Sequence, residues 1–543
     1  MQTSPTAHVD TFARDHRPPP ERRPDLLLSL PELRYPPTLN CAAELLDATI
    51  ARHGPDRTAL LGEGPGYAIS WTYGELRDQA ARIARVLVDD LGVVPGNRVL
   101  LRGPNSPWLG ACWLAIISAG AIVVPVVPVL RAAELRTIAG IAHVTHALCD
   151  ERSLDDLVKA EIPGLSTTSF GVGTGPDDGG LQRLAAAKPP EFTPVATASD
   201  DVCMIAFTSG TTGRPKGCMH AHRDVLAIAD TFSAHVLKPR PDDVFTGSPP
   251  LSFTYGLGGA LVFPLRAGAA SLLLARATPD ALPAAIARHG VTVLFTAPTA
   301  YRAILANPGP PGAMTTLRRC VSAGEKLPRA VWDDWHTAFG VKIIDGIGST
   351  EMLHIFIGSA DDDIRPGSTG RPVPGYEARV VDDTGAEVPD GEPGRLAVRG
   401  PTGCHYLDDP RQADYVRDGW NLTGDTYVRD ADGYFWYQAR SDDMIISSGY
   451  NIAGPEVEEA LMRHPDVAEV AVVGVPDAAR GQIVAAFVVL RDPASASEDK
   501  KRELQDFAKG EIAPYKYPRA VEFAEALPRT PTGKLQRYRL RPG

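Results

Sequence analysis

Directly after an apolar run, Phe207-Thr208-Ser209-Gly210-Thr211-Thr212-Gly213-Arg214-Pro215-Lys216-Gly217 places four hydroxyl side chains and three glycines within eleven positions. Glycine permits tight backbone turns. Hydroxyls and backbone N–H groups can surround polyphosphate oxygens while the Lys216 ammonium offsets their charge. The string therefore suits a triphosphate. It is not a standard P-loop, which needs Ser or Thr after the lysine, because Gly217 follows Lys216. Taken alone it could also be a flexible Ser/Thr/Gly connector. Glu351 ends a second string, Asp345-Gly346-Ile347-Gly348-Ser349-Thr350-Glu351. A carboxylate in such a turn is either a solvated charge or a hard-oxygen ligand for Mg²⁺. Asp425 closes Leu422-Thr423-Gly424-Asp425 and is by default a turn residue, and Lys534 in Pro531-Thr532-Gly533-Lys534 is by default a solvated tail.

In this order, and with Arg440-Ser441-Asp442-Asp443-Met444-Ile445-Ile446-Ser447-Ser448-Gly449-Tyr450-Asn451-Ile452 between the last two, these strings resemble the motifs of the adenylate-forming superfamily. That superfamily includes acyl- and aryl-CoA ligases, luciferases and the adenylation domains of peptide synthetases. The resemblance runs from about Asn40 to the C-terminus and implies roles residue by residue. Thr208, Ser209, Gly210, Thr211, Thr212, Gly213 and Lys216 would hold ATP, and Glu351 with Thr211 would hold Mg²⁺. Gly324, Glu325, Asp345, Gly346 and Ile347 would contact the nucleotide, with Asp425 accepting from the ribose hydroxyls and Arg440 nearby. Lys534, Thr350 and Glu351 form the implied catalytic group, in which Lys534 bridges the carboxylate and the α-phosphate and stabilises charge building up there. Asp442 takes the hinge position, about which a small domain would swing to withdraw Lys534 and present the Gly449 loop. A glycine at 449 leaves room for a pantetheine arm. One departure stands out: superfamily members often carry an aromatic residue before Gly348, and here it is Ile347, as in benzoate-type ligases.

The implied acid pocket comprises Thr254, Tyr255, Ala323, Gly324, Ile347, Gly348 and His354. No acidic residue lies between Leu251 and Leu265 to bind an α-ammonium, which argues against an amino acid. Flat apolar surface with little length suits one aromatic ring. Leu251–Gly258, Met352–Phe356 and Leu33–Leu45 look like the corresponding parts of benzoate-CoA and 2-aminobenzoate-CoA ligases. Thr254, where benzoate ligases often have Ala, tips the expectation toward 2-aminobenzoate. Tyr255 and His354 could equally be ordinary core residues. The expected enzyme is an AMP-forming aryl-CoA ligase using ATP, Mg²⁺ and CoA. The alternative is a stand-alone adenylation enzyme that loads a carrier protein's pantetheine. The partner list is a small aromatic acid, ATP and CoA, with room for a carrier protein or a homodimer.

Positioning these groups requires alternating elements. Thr72 and Glu75 form a capping box ahead of Leu76, Ala80, Ile83 and Leu87 at helical spacing. Strands are expected at Arg98–Leu101, Val202–Phe207, Val244–Ser248, Ala270–Leu274, Val291–Thr296, Arg319–Ala323 and Lys342–Ile344. Helices at Pro279–His289 and Ala330–Phe339 fall between some of them. Such alternation implies a largely parallel α/β arrangement, here of two sheets. From Gly370 to Tyr437 short strands with Asp/Gly turns indicate an antiparallel β subdomain. The expected class is thus multidomain α/β: a partly ordered leader at 1–38, a large domain at 39–439, and a small mobile α+β domain at 440–543.

The 543 residues carry a net charge of −11 and no Lys/Arg-rich run, which argues against nucleic acid and anionic membranes as main partners. Trp108–Leu130 is uncharged and long enough to span a bilayer, but Gly120, Pro125 and Pro128 favour helix, stop and buried strand. Seven dispersed cysteines without a C-x-x-C pair indicate reduced thiols, and a cytoplasmic location is expected.

Overall fold

The computed structural model describes residues 5–64, 67–172, 180–208, 214–324, 327–440, 445–452, 454–528 and 537–541, with the side chains of 438–440, 451, 455, 459 and 538 excepted. One sheet has eight strands in the order Ile355–Gly358, Ile343–Gly348, Arg319–Ser322, Val293–Thr296, Val244–Gly247, Ala270–Leu274, Thr58–Gly64 and Tyr67–Thr72. Its interior pairings are parallel and its two edge pairings antiparallel. A second sheet has six strands in the order Ser166–Phe170, His146–Asp150, Arg98–Arg102, Ile122–Val126, Val202–Thr208 and Lys216–Ala221. All but its last pairing are parallel.

The capping box is present: Glu75 N–H donates to Thr72 Oγ1 at 3.1 Å and Thr72 N–H to the Glu75 carboxylate at 2.8 Å. The uncharged run resolves into a helix, Pro107–Ser118, then Gly120 at φ +71°, then the strand Ile122–Val126. Every residue of that helix is buried, because it lies between the sheets, against Thr58–Gly64 on one side and Arg98–Arg102 and Ile122–Val126 on the other. A helix covered all round is apolar all round. No described helix is long and apolar enough to cross a membrane.

Two expected strand starts shift. Val291 and Thr292 precede their strand, which begins at Val293, and Lys342 precedes Ile343–Gly348, which runs on through the Gly-rich string. The antiparallel subdomain is built from Glu377–Val381, Pro393–Arg399, Trp420–Arg429 and Phe435–Arg440, with the two-residue Val416–Arg417 at one edge. The C-terminal unit pairs Val467–Asp477 with Gly481–Leu490 as a long hairpin and adds Ala520–Phe523 in parallel. Helices Gly454–Met462 and Glu498–Glu511 cover it, and Ile445, Leu461, Val472, Val488 and Leu504 give it a core of its own. Upstream of residue 39, Asp10 pairs with Arg98 at 2.5 Å and Leu33 is buried against the body.

Candidate active site

The carboxyl ends of the parallel strands Val244–Gly247, Val293–Thr296, Arg319–Ser322 and Ile343–Gly348 converge on one side of the eight-stranded sheet, where open α/β sheets place ligands. Val202–Thr208 and Lys216–Ala221, which carry the two ends of the Ser/Thr/Gly string, pair antiparallel and set Thr208 opposite Lys216. Lys216 Nζ donates to the Tyr406 hydroxyl at 2.7 Å, and that hydroxyl donates to Glu351 Oε1 at 2.5 Å. Lys216 and Glu351 are themselves 3.6 Å apart, and the ammonium lies 4.6 Å from the centre of the Tyr406 ring. Burial and the Glu351 carboxylate hold the Tyr406 hydroxyl well above the usual phenol range, so it remains a donor. Ser349 shares a 3.3 Å hydrogen bond with Tyr415, and half-buried Thr350 precedes Glu351. Tyr406 carries no local motif; its link to Lys216 spans 190 residues and became visible only in three dimensions.

Along the strand end, Asp345 faces a different environment. Burial pushes its carboxyl up to about 8, against the pull of the Ser322 hydroxyl and the Gly346 backbone N–H. A side chain at Gly348 would sit 2.6 Å from the His354 carbonyl, so the backbone approaches too closely for anything but glycine. Ile347 packs against the main core. Asp425 is buried on Trp420–Arg429, takes its place opposite Arg440 in the register, and its N–H donates to Thr423 Oγ1 at 3.2 Å.

His354 and Tyr255 meet in an aromatic cluster. The imidazole lies 4.6 Å from Phe263, 5.5 Å from Phe232 and 5.7 Å from Tyr255, centre to centre, and Tyr255 lies 5.6 Å from Phe295. Burial lowers the imidazole to about 3, so it is neutral at ordinary pH. With Nε2–H donating to the Tyr255 carbonyl at 3.4 Å, Nδ1 is left as a buried acceptor with no partner among the described residues. The Tyr255 hydroxyl donates to the Val321 carbonyl at 2.9 Å, which ties the ring to a strand end and leaves its face as wall. Thr254 is buried at the start of the short helix Thr254–Leu257, which carries Tyr255, and Ala323 is buried beside Gly324. A Cβ at Gly258 or Gly259 would strike His354 or Phe295 at 2.3 Å or 2.5 Å, so those glycines let the helix close on the rings.

The small domain reaches this region through its own glycine. Gly449, at φ +80°, lies with its Cα 4.0 Å from the point where a side chain on Gly324, at φ +89°, would begin. The structure thus brings together Thr208, Lys216, Thr254, Tyr255, Ala323, Gly324, Asp345–Gly348, Thr350, Glu351, His354 and Gly449, with Asp425 placed on the antiparallel sheet. Ser209, Gly210, Thr211, Thr212, Gly213, Glu325, Asp442 and Lys534, together with the Arg440 side chain, lie outside the described residues.

Residues 46–405 match the AMP-binding enzyme family and residues 456–534 match the AMP-binding enzyme C-terminal domain. The benzoate–CoA ligase of Thauera aromatica is 36% identical over 518 residues, 94% of this chain and 97% of that protein. The anthranilate CoA ligase AuaEII, solved with anthranoyl-AMP, superposes with a TM-score of 0.71 at 34% identity, covering 94% of this chain and 98% of that one. A benzoate CoA ligase from Burkholderia xenovorans LB400 gives a TM-score of 0.69 at 35% identity, with 93% and 100% covered.

Proposed function

The chain belongs to the AMP-binding enzyme family and is an AMP-forming acid–CoA ligase, and from that premise we propose that its acid is a small benzoate, with 2-aminobenzoate preferred over unsubstituted benzoate. In the first step a carboxylate oxygen bonds to the α-phosphorus of ATP and the bond to pyrophosphate breaks, giving the aryl-adenylate. In the second the CoA sulfur bonds to the acyl carbon, the bond to AMP breaks and the thiol proton is released.

The observation that carries the choice of acid is the half-buried ring of Tyr255, backed by the buried rings of Phe263, Phe295 and His354, on which Gly258 and Gly259 close. Aromatic surface of this kind suits a flat ring. Thr254, the residue before Tyr255, supplies a hydroxyl for a small ring substituent in this reading.

Lys216 and Tyr406 are suited to holding the polyphosphate, and Lys216 would exchange its contact with Glu351 for the more strongly charged phosphates. The Glu351 carboxylate is a hard oxygen donor of the kind that holds Mg²⁺ together with phosphate oxygens, with Thr211 as the second assigned contact. When bound, the dication neutralises polyphosphate charge. Asp425 would accept from the ribose, beside Arg440, and Asp345–Ile347 would flank the base. Lys534 would bring its ammonium to the carboxylate as it attacks phosphorus.

The test is kcat/KM for 2-aminobenzoate, benzoate, salicylate, 4-coumarate and octanoate, with CoA and separately with a pantetheinylated carrier. 2-Aminobenzoate should lead its close analogues by about tenfold, with CoA as acceptor, and Thr254→Ala should narrow that margin. Preference for octanoate or 4-coumarate would overturn the pocket assignment. Turnover with the carrier and none with CoA would overturn the acceptor.

A further inference from the structure

Lys516 of the small domain is almost fully buried, although its ammonium carries a full charge. It donates to Glu456 of its own domain at 2.6 Å and to Glu134, on the large-domain helix Ala132–Ala142, at 2.5 Å. A buried ammonium needs carboxylate partners, and here the second one comes from the other domain. The adjoining residue, Tyr515, stacks on Tyr450 with ring centres 4.1 Å apart. Tyr450 directly follows Gly449 and sets its edge against Phe253, beside Thr254, at 6.1 Å. An unbroken chain of contacts therefore runs from Glu134 through Lys516, Tyr515 and Tyr450 to the glycine that meets Gly324.

We propose that Glu134 is a positioning residue for thioester formation: by clamping Lys516 across the domain boundary it holds the small domain in the orientation that sets Gly449 against Gly324. Glu134 and Lys516 stand on opposite sides of the domain boundary, so a swing of the small domain to the adenylating orientation would part them. Glu456 moves with Lys516, so the lysine keeps one carboxylate in either orientation, and only the Glu134 contact distinguishes them. The clamp consequently acts on the second half-reaction and leaves the first free. This inference rests on the two-step reading above.

Glu134 also caps its helix, its Oε2 accepting from the Arg131 N–H at 2.9 Å. Glu134→Gln keeps an oxygen for that cap while removing the charge, so it is the variant of choice. Pyrophosphate release and aryl-CoA formation from supplied aryl-AMP would be measured separately, with KM for CoA. Glu134→Gln should slow thioester formation by about tenfold or more while adenylate formation stays within twofold or so of wild type. The paired Glu134→Lys and Lys516→Glu exchange should recover part of the loss. Equal loss in both half-reactions without recovery would mark Glu134 as merely structural, and no loss in either would remove the clamp. Wild-type enzyme that forms no aryl-CoA would instead overturn the two-step reading itself.

Discussion

Lys216 and Glu351 stand 3.6 Å apart with the Tyr406 hydroxyl hydrogen-bonded to both. A cation and an anion that would each serve phosphate chemistry are thereby held at one spot by a residue that is neither. The hydroxyl fixes the Glu351 carboxylate, and its ring gives the ammonium a face to rest on.

Tyr406→Phe keeps the ring and deletes the bridge. Hydrogen bonds to charged groups contribute about 1.5–3 kcal/mol, so ATP–pyrophosphate exchange should fall by roughly tenfold to a hundredfold. Thioester formation from supplied aryl-AMP should be unaffected. An unchanged exchange rate would show that the bridge does not organise the phosphate end.

Asp345 links the site to stability. Its folded carboxyl titrates near 8 against 3.8 for the free group. Between those values the unfolded chain has released a proton that the folded chain retains, so stability falls as pH rises through that window. Asp345→Asn removes this term. In urea titrations the variant should match wild type near pH 4 and gain on it toward pH 8, by on the order of 1 kcal/mol per pH unit in the steepest part. Parallel stability curves for the two proteins would refute the burial of this carboxyl.

His354 works in the opposite sense. With its folded value near 3, it contributes stability that is fully present above the unfolded value of about 6.5 and is lost as pH falls toward 3. His354→Leu should flatten that acid limb. In the wild type the ratio of kcat/KM for 2-aminobenzoate to that for benzoate should stay level from about pH 6 to 9, since the imidazole does not titrate there. A step in the ratio near pH 6.5 would mean a solvated ring.

Gly449 has a positive φ and faces Gly324. A bulky, β-branched residue there is strained and fills the gap. Gly449→Val should depress CoA turnover at least about tenfold while pyrophosphate release in the absence of CoA persists. Normal CoA turnover in the variant would exclude a thiol route past this glycine.

Much of this architecture is legible in the sequence alone, because its signals are local. The Thr72–Glu75 box lies within one helical turn, and Gly120 stops a helix that its own neighbours define. The candidate site is legible in the sequence where a glycine string marks the end of the Ile343–Gly348 strand. What escaped was long-range. The Lys216–Tyr406 bond spans 190 residues and the Lys516–Glu134 pair 382, and no periodicity encodes such meetings. His354 is an ambiguous residue in the sequence, and its neutrality comes from burial among rings contributed by three separate stretches of chain. The Ile343–Gly348 strand extends past Ile344 into glycines that propensity disfavours, because antiparallel pairing with Ile355–Gly358 holds it extended.

All seven cysteines are buried and unpaired. A protein that handles a free thiol as substrate therefore offers no thiol at its own surface, and disulfide exchange, in which a thiolate attacks a disulfide sulfur, finds no protein thiolate within reach to make that attack. CoA disulfide or oxidised glutathione should leave no adduct on the folded chain. The same bare exterior is useful at the bench. One cysteine in place of exposed Val158 on the large domain and another in place of exposed Met462 on the small one would be the accessible thiols for a donor–acceptor dye pair, with no native cysteine to remove. The distance between those dyes, followed during turnover, would report the two domains changing places.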